Sequence, residues 1–162
     1  MAQILFVCTG NSCRSVMAQG LLQKRLKQLE DRLREPIDVE SAGVFAIEGM
    51  SPSRETLRLL QQDDIDLSAH MARQITPEMI READLIFVME QFQGEELIRR
   101  VPEAANNVYL LRSFGHKHPG AAEANIPDPI GKPKEVYEAC FAVIRDAVER
   151  VAQHLIASGA NT

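Results

Sequence analysis

Cys8 and Arg14, separated by Thr9-Gly10-Asn11-Ser12-Cys13 and followed by Ser15, have types and spacing that could do chemistry. They follow the apolar run Ile4-Leu5-Phe6-Val7 and precede a helix-like pattern. Backbone N–H groups of a small-residue loop and a helix N-terminus then converge on one point, which suits an anion. A thiol at the mouth of the loop and a guanidinium able to bond two oxygens at once face the same phosphate-sized group. The chemistry implied is thiolate attack on phosphorus. Loop amides, helix dipole and Arg14 would all favour the thiolate. Arg14 would clamp two nonbridging oxygens, which the single ammonium of a lysine does less well. Taken singly, a cysteine at a strand end is a small buried hydrophobe and an arginine a solvated helix residue. The full order of strand, cysteine, five residues, Arg-Ser and amphipathic helix marks a catalytic phosphate loop.

Such a loop needs a strand before it and a helix after it. Residues 3 to 8 read as a buried strand, and Met17, Leu21, Leu22, Leu26, Leu29 and Leu33 recur at helical spacing. Val39 to Ala42, ending at Gly43, is a short strand, and Pro52 with Leu57, Leu59 and Leu60 suggests a second helix. Thr76-Pro77-Glu78 is a capped helix start with proline in the first turn. Leu85 to Met89 and Val108 to Leu111 read as strands around a short helix, Glu95 to Arg100. Ser113 to Gly131, carrying Gly115, Pro119, Gly120, Pro127 and Pro129, is a long loop of the kind that is often functional. Val136, Cys140, Val143, Ile144, Ala147, Val148, Val151 and Leu155 form the stripe of a closing helix, with Ser158 to Thr162 frayed. Strands alternating with helices predict an α/β fold: a four-stranded parallel sheet with right-handed crossovers, helices on both faces, and the phosphate loop after strand 1. The site then falls at the carboxyl edge of the sheet.

At 162 residues and 45% hydrophobic composition, the chain is expected to form one three-layer domain over residues 1–162. A net charge of −5 with both signs interspersed offers no basic footprint for nucleic acid or anionic membrane. Apolar runs are strand-sized and no basic-plus-apolar leader opens the chain, which gives a cytoplasmic expectation. Three cysteines cannot all pair internally, and the four histidines are scattered. A reducing compartment and chemistry without metal or cofactor are expected.

Cys8 to Ser15 together with Asp128-Pro129 resembles the low-molecular-weight protein tyrosine phosphatase family. Ser41-Ala42-Gly43, Ser68-Ala69-His70-Met71-Ala72-Arg73, Ala83-Asp84-Leu85-Ile86 and Asp128-Pro129-Ile130-Gly131 fall in the family's order and spacing, so the likeness runs over nearly the whole chain. The resemblance implies a phosphoprotein substrate, a cysteinyl-phosphate intermediate, and a monomer or weak homo-oligomer. Because the thiolate cannot protonate a leaving group, a second residue must, and Asp128, between Pro127 and Pro129, is the candidate general acid. A turn-forming aspartate is the alternative there. Ser15 is expected to donate to the Cys8 sulfur, with a helix N-cap as its alternative. The family pattern makes Asn11 the residue that holds the loop in shape through Ser41 and His70. It also makes Cys13 a redox partner of Cys8. Cys140 reads as core.

Three positions depart from the tyrosine-specific pattern. Val16 stands where the family has proline, and Ser12 replaces a bulky aliphatic. Asp128-Pro129-Ile130-Gly131 lacks the aromatic pair that walls a tyrosine pocket. A threonine at the position of Ser12 and a shortened acid loop mark the family's bacterial protein arginine phosphatases. Phosphotyrosine is the expected substrate and phosphoarginine the alternative, with Ser12 and Ile130 setting the choice. A thioredoxin-coupled arsenate reductase would need two further cysteines near residues 75 to 95, and there are none.

Overall fold

In a computed structural model that describes residues 2–116 and 124–160, β1 (Ala2–Cys8) lies inside a four-stranded parallel sheet. β2 (Ile37–Gly43) flanks it on one side and β3 (Leu85–Val88) on the other, with β4 (Val108–Leu110) outermost. β1 pairs with β2 along its whole length, Ala2 with Ile37 through Cys8 with Gly43. That full register extends β2 one residue beyond Ala42 and two before Val39.

Alternation along β1 sends its side chains to two cores. Ile4, Phe6 and Cys8 join a cluster with α1 (Arg14–Gln28), α2 (Arg54–Gln62) and α5 (Lys134–Ala160). Leu5 and Val7 join a second cluster with α3 (Pro77–Glu82) and α4 (Gln91–Arg100). Each fully buried Leu, Ile or Phe of these clusters contributes about 1.5–3 kcal/mol. Helices thus cover both faces. Ser53 caps α2 and Thr76 caps α3, the latter with Pro77 in the first turn.

Several expected boundaries shift. The first helix ends at Gln28, because the Leu29 N–H is shared between the carbonyls of Arg25 and Leu26 and the chain tightens into a 3₁₀ turn, Glu30–Arg32. Leu33 still packs on the core, which is why the stripe looked longer than the helix. α4 begins at Gln91, four residues before the expected start at Glu95, since Gln93 reaches back to the Glu90 N–H as the return half of a capping box. α5 runs on to Ala160 rather than fraying from Ser158, while residues 161–162 lie outside the described residues. Pro119 and Gly120 of the long loop also lie outside the described residues.

Gly43 brings the site together. A Cβ there would meet the Thr9 carbonyl oxygen at 2.5 Å and the Asn11 nitrogen at 3.0 Å, so only glycine lets β2 approach the phosphate loop this closely. The backbone seals the approach, with Val44 N–H on the Cys8 carbonyl and Phe45 N–H on that of Thr9.

Candidate active site

The loop between β1 and α1 turns through Asn11, whose φ of 54° is left-handed. Asparagine tolerates that region because its side chain can satisfy nearby groups. Asn11 Oδ1 accepts from the Arg73 backbone N–H at 3.1 Å, which fixes the orientation of the amide. Its Nδ2 therefore donates, to Ser15 Oγ at 2.8 Å and to Ser41 Oγ at 2.9 Å. The Ser41 hydroxyl passes its own proton to Gln19 Oε1. His70 Nε2, 3.2 Å from the same Oδ1, can only be a donor, so it carries the proton. Burial holds the His70 pKa below the ordinary histidine value, with the charge of Arg73 adding to the shift and the Asn11 bond opposing it. The structure thus brings Asn11, Ser41 and His70 into one hydrogen-bond network, with Gln19 and Arg73 bonded to it.

Ser15 Oγ accepts from Asn11 and lies 2.9 Å from Cys8 Sγ, which leaves its own proton free to point at the sulfur. The Asn11 N–H also donates to that sulfur at 3.3 Å. A buried sulfur with one N–H donor and a hydroxyl within reach is placed to act as a nucleophile. The N-cap of α1 is Cys13 and not Ser15, and no side chain caps the first turn. First-turn N–H groups that a cap would have occupied are thereby left for an anion. Thr9, Gly10 and Ser12 are half-buried along the same loop.

Arg14 is 1% exposed and is held from three sides. Its Nη1 donates to the Ile126 carbonyl at 2.7 Å and lies 3.2 Å from Glu90 Oε2. Nη2 lies 3.7 Å from Asp128 Oδ2. Nε is buried with no hydrogen-bond partner among the described residues. An unspent buried donor costs about 1–3 kcal/mol, more when charged, and such orphans mark sites where a ligand completes the set. Asp128 is brought to Arg14 as the sequence suggests, and its other oxygen accepts from Ile130 N–H at 3.0 Å. Turn former and charged partner are one carboxylate. Its side chain is 40% exposed, open to a substrate. Ile130 projects to solvent on the same turn.

Cys13 Sγ donates to Ser53 Oγ at 3.3 Å and lies 3.8 Å from Tyr137 Oη, whose pKa burial raises. Ser53 N–H holds the Ser12 carbonyl, locking this side of the loop to α2. Cys140 packs in the core, where burial pushes its thiol up to about 12. Sequence reasoning missed Glu90, Gln93 and Tyr137. Glu90 had one positional signal: it lies two residues past the end of β3, at the carboxyl edge of a strand beside β1.

The family model for low molecular weight phosphotyrosine protein phosphatases matches residues 3–160. A protein-arginine-phosphatase of Geobacillus stearothermophilus is 36% identical over 153 residues, 94% of this chain and 95% of its own length. The low molecular weight protein-tyrosine-phosphatase Wzb of Escherichia coli strain K12 is 35% identical over 152 residues, 94% of each. Among solved structures, a cysteine-to-serine mutant of the arginine phosphatase YwlE, bearing a phosphorylated active-site serine, superposes with a TM-score of 0.84 at 25% identity, covering 94% of this chain and 95% of that one.

Proposed function

The chain belongs to the low molecular weight phosphotyrosine protein phosphatase family, and from that premise we propose that it removes phosphate from protein side chains with Cys8 as nucleophile. The observation that carries this reading is the buried Cys8 sulfur accepting the Asn11 N–H with the Ser15 hydroxyl 2.9 Å away. A phosphorylated serine at the active site of the similar arginine phosphatase supports attack from the corresponding atom.

In the first step the Cys8 sulfur forms an S–P bond while the P–O or P–N bond to the substrate breaks. Asp128, entering protonated, gives its proton to the leaving oxygen or nitrogen. Backbone N–H groups from Thr9, Gly10, Ser12 and Cys13 and the Nε–Nη2 edge of Arg14 hold the nonbridging oxygens, while the Asn11 N–H stays on the sulfur. Nη1 is already anchored on Ile126 and Glu90. In the second step Asp128, now ionised, takes a proton from water as the water oxygen bonds to phosphorus. The S–P bond breaks, inorganic phosphate leaves, and the returning thiolate accepts from Ser15. Cys13 is the second free thiol of the loop and under oxidant forms a reversible disulfide with Cys8.

Phosphotyrosine is the substrate proposed first, with Ile130 as an apolar wall for the phenyl ring. A second reading, phosphoarginine, is favoured by the small hydroxyl of Ser12 and by two carboxylates, Glu90 and Asp128, beside Arg14. A guanidinium head buried without polar partners costs several kcal/mol, and these groups lower that cost. The arginine phosphatase relative adds to this second reading. No helix among the described residues is long and apolar enough to cross a membrane. The net charge of −5, with both signs interspersed, supports action on phosphoproteins and not on nucleic acid.

The test is kcat/KM measured side by side on phosphotyrosine and phosphoarginine peptides. Higher values on the first support phosphotyrosine, and the reverse supports phosphoarginine. Turnover of neither overturns both.

A further inference from the structure

Gln93 is completely buried, and both the oxygen and the nitrogen of its amide are bonded. Oε1 accepts from Met89 N–H at 2.9 Å and from Glu90 N–H at 3.0 Å, and Nε2 donates to Thr9 Oγ1 at 3.1 Å. Starting α4 needs only the oxygen. The bond from Nε2 to Thr9 does nothing for the helix and instead joins the β3–α4 turn to the residue that follows the nucleophile. From the same turn Glu90 reaches Arg14 Nη1 at 3.2 Å, at the other end of the phosphate loop. Thr9, Gln93, Glu90 and Arg14 therefore make a strut that ties both ends of the loop to one point on the neighbouring strand.

We propose that Gln93 is a positioning residue for phosphoryl transfer: through Thr9 and Glu90 it sets where the loop and the Arg14 guanidinium stand relative to each other. With Nη1 held by Glu90, the Nε–Nη2 edge is presented to the phosphate oxygens without rearrangement. Displacing such a group by about 1 Å can cost on the order of 10²-fold in rate, so a remote amide can govern the chemistry. The inference rests on the phosphocysteine reading but not on which side chain bears the phosphate.

A double-mutant cycle on p-nitrophenyl phosphate, with vanadate affinity measured in parallel, tests it. Thr9→Val removes the acceptor hydroxyl and leaves the α4 start untouched, whereas Gln93→Met removes the amide at similar volume. Each should lower kcat by about 10-fold with a smaller change in KM, and weaken vanadate, which imitates the transition state, in proportion. Thr9→Ser, which keeps the acceptor hydroxyl, should recover most of the kcat and vanadate affinity that Thr9→Val loses, and the double variant should be no worse than the more impaired single. If Gln93→Met does not fold, Gln93→Asn replaces it, being one methylene too short to span from the Met89 and Glu90 amides to Thr9. Wild-type kcat and vanadate affinity in Thr9→Val, or losses that multiply in the double variant, would overturn the proposal. A wild-type chain that turned over no aryl phosphate would count against the phosphocysteine reading instead, and vanadate affinity would still decide this one.

Discussion

Cys8 Sγ and Ser15 Oγ lie 2.9 Å apart, and Asn11 Nδ2 donates to the same serine oxygen at 2.8 Å, which leaves the serine proton free for the sulfur. The orientation of the Asn11 amide follows from the Arg73 N–H on its Oδ1, a group that can only donate. A nucleophile at a strand end is thereby given a fixed hydrogen bond by residues of α1 and of the loop leading out of α2.

Ser15→Ala removes that bond. Hydrogen bonds to charged groups contribute about 1.5–3 kcal/mol, so kcat should fall by about 10- to 10²-fold. Breakdown of the phosphocysteine should suffer most, and stopped-flow traces should show a burst of released phenol followed by slow turnover. Unchanged steady-state and burst kinetics would mean that the Cys8–Ser15 contact is packing alone.

Asp128→Ala should slow attack on poor leaving groups by about 10²- to 10⁴-fold, the range for loss of a general acid. The penalty should shrink as the leaving phenol becomes more acidic. A series of aryl phosphates checks this. An equal loss across the series would leave Asp128 only its turn bond to Ile130 and its charge beside Arg14.

How much of this was legible before the fold was known depends on where each residue sits along the chain. Cys8 through Ser15 could be read directly because the phosphate loop is contiguous and its groups act at short range. The support of Asn11 by Ser41 and His70 followed from family resemblance alone, since nothing local in either segment points at residue 11. Glu90, Gln93 and Gln19 were illegible for a different reason. Each is an ordinary polar residue of a helix or helix start, and its role arises only when the strand order brings β3 and β2 to the two sides of β1. Helix ends moved for local reasons, a shared hydrogen bond at Leu29 and a glutamine cap at Gln93, which apolar periodicity does not register.

Ser12 and Ile130 should govern the substrate ratio. Ser12→Ile is expected to raise kcat/KM on aryl phosphates by adding apolar surface beside the ring, and Ser12→Thr to move preference toward phosphoarginine. Peptide assays on both substrates check it. If both variants keep the wild-type ratio, the selectivity assigned to this position is wrong.

His70 makes stability depend on pH. Its pKa is depressed in the fold, chiefly by burial, while in the unfolded chain it titrates near about 6.5. The folded protein therefore binds fewer protons between the depressed value and about 6.5. The stabilising contribution is complete above about 6.5 and is lost as pH falls through that window. Urea denaturation near pH 7.5 and 5.5 should show wild type losing more stability on acidification than His70→Gln. Equal losses would place the titration elsewhere.

The central claim is a covalent phosphate on Cys8. Rapid acid quench of Asp128→Ala during turnover of p-nitrophenyl phosphate, followed by peptide mass analysis, should find phosphate on the peptide containing Cys8, with no such adduct in Cys8→Ala under the same pulse. Cys8→Ser should retain vanadate binding through Arg14 and the loop amides while losing turnover. Substantial phosphatase activity in Cys8→Ser, or phosphate recovered on another residue, would contradict the mechanism.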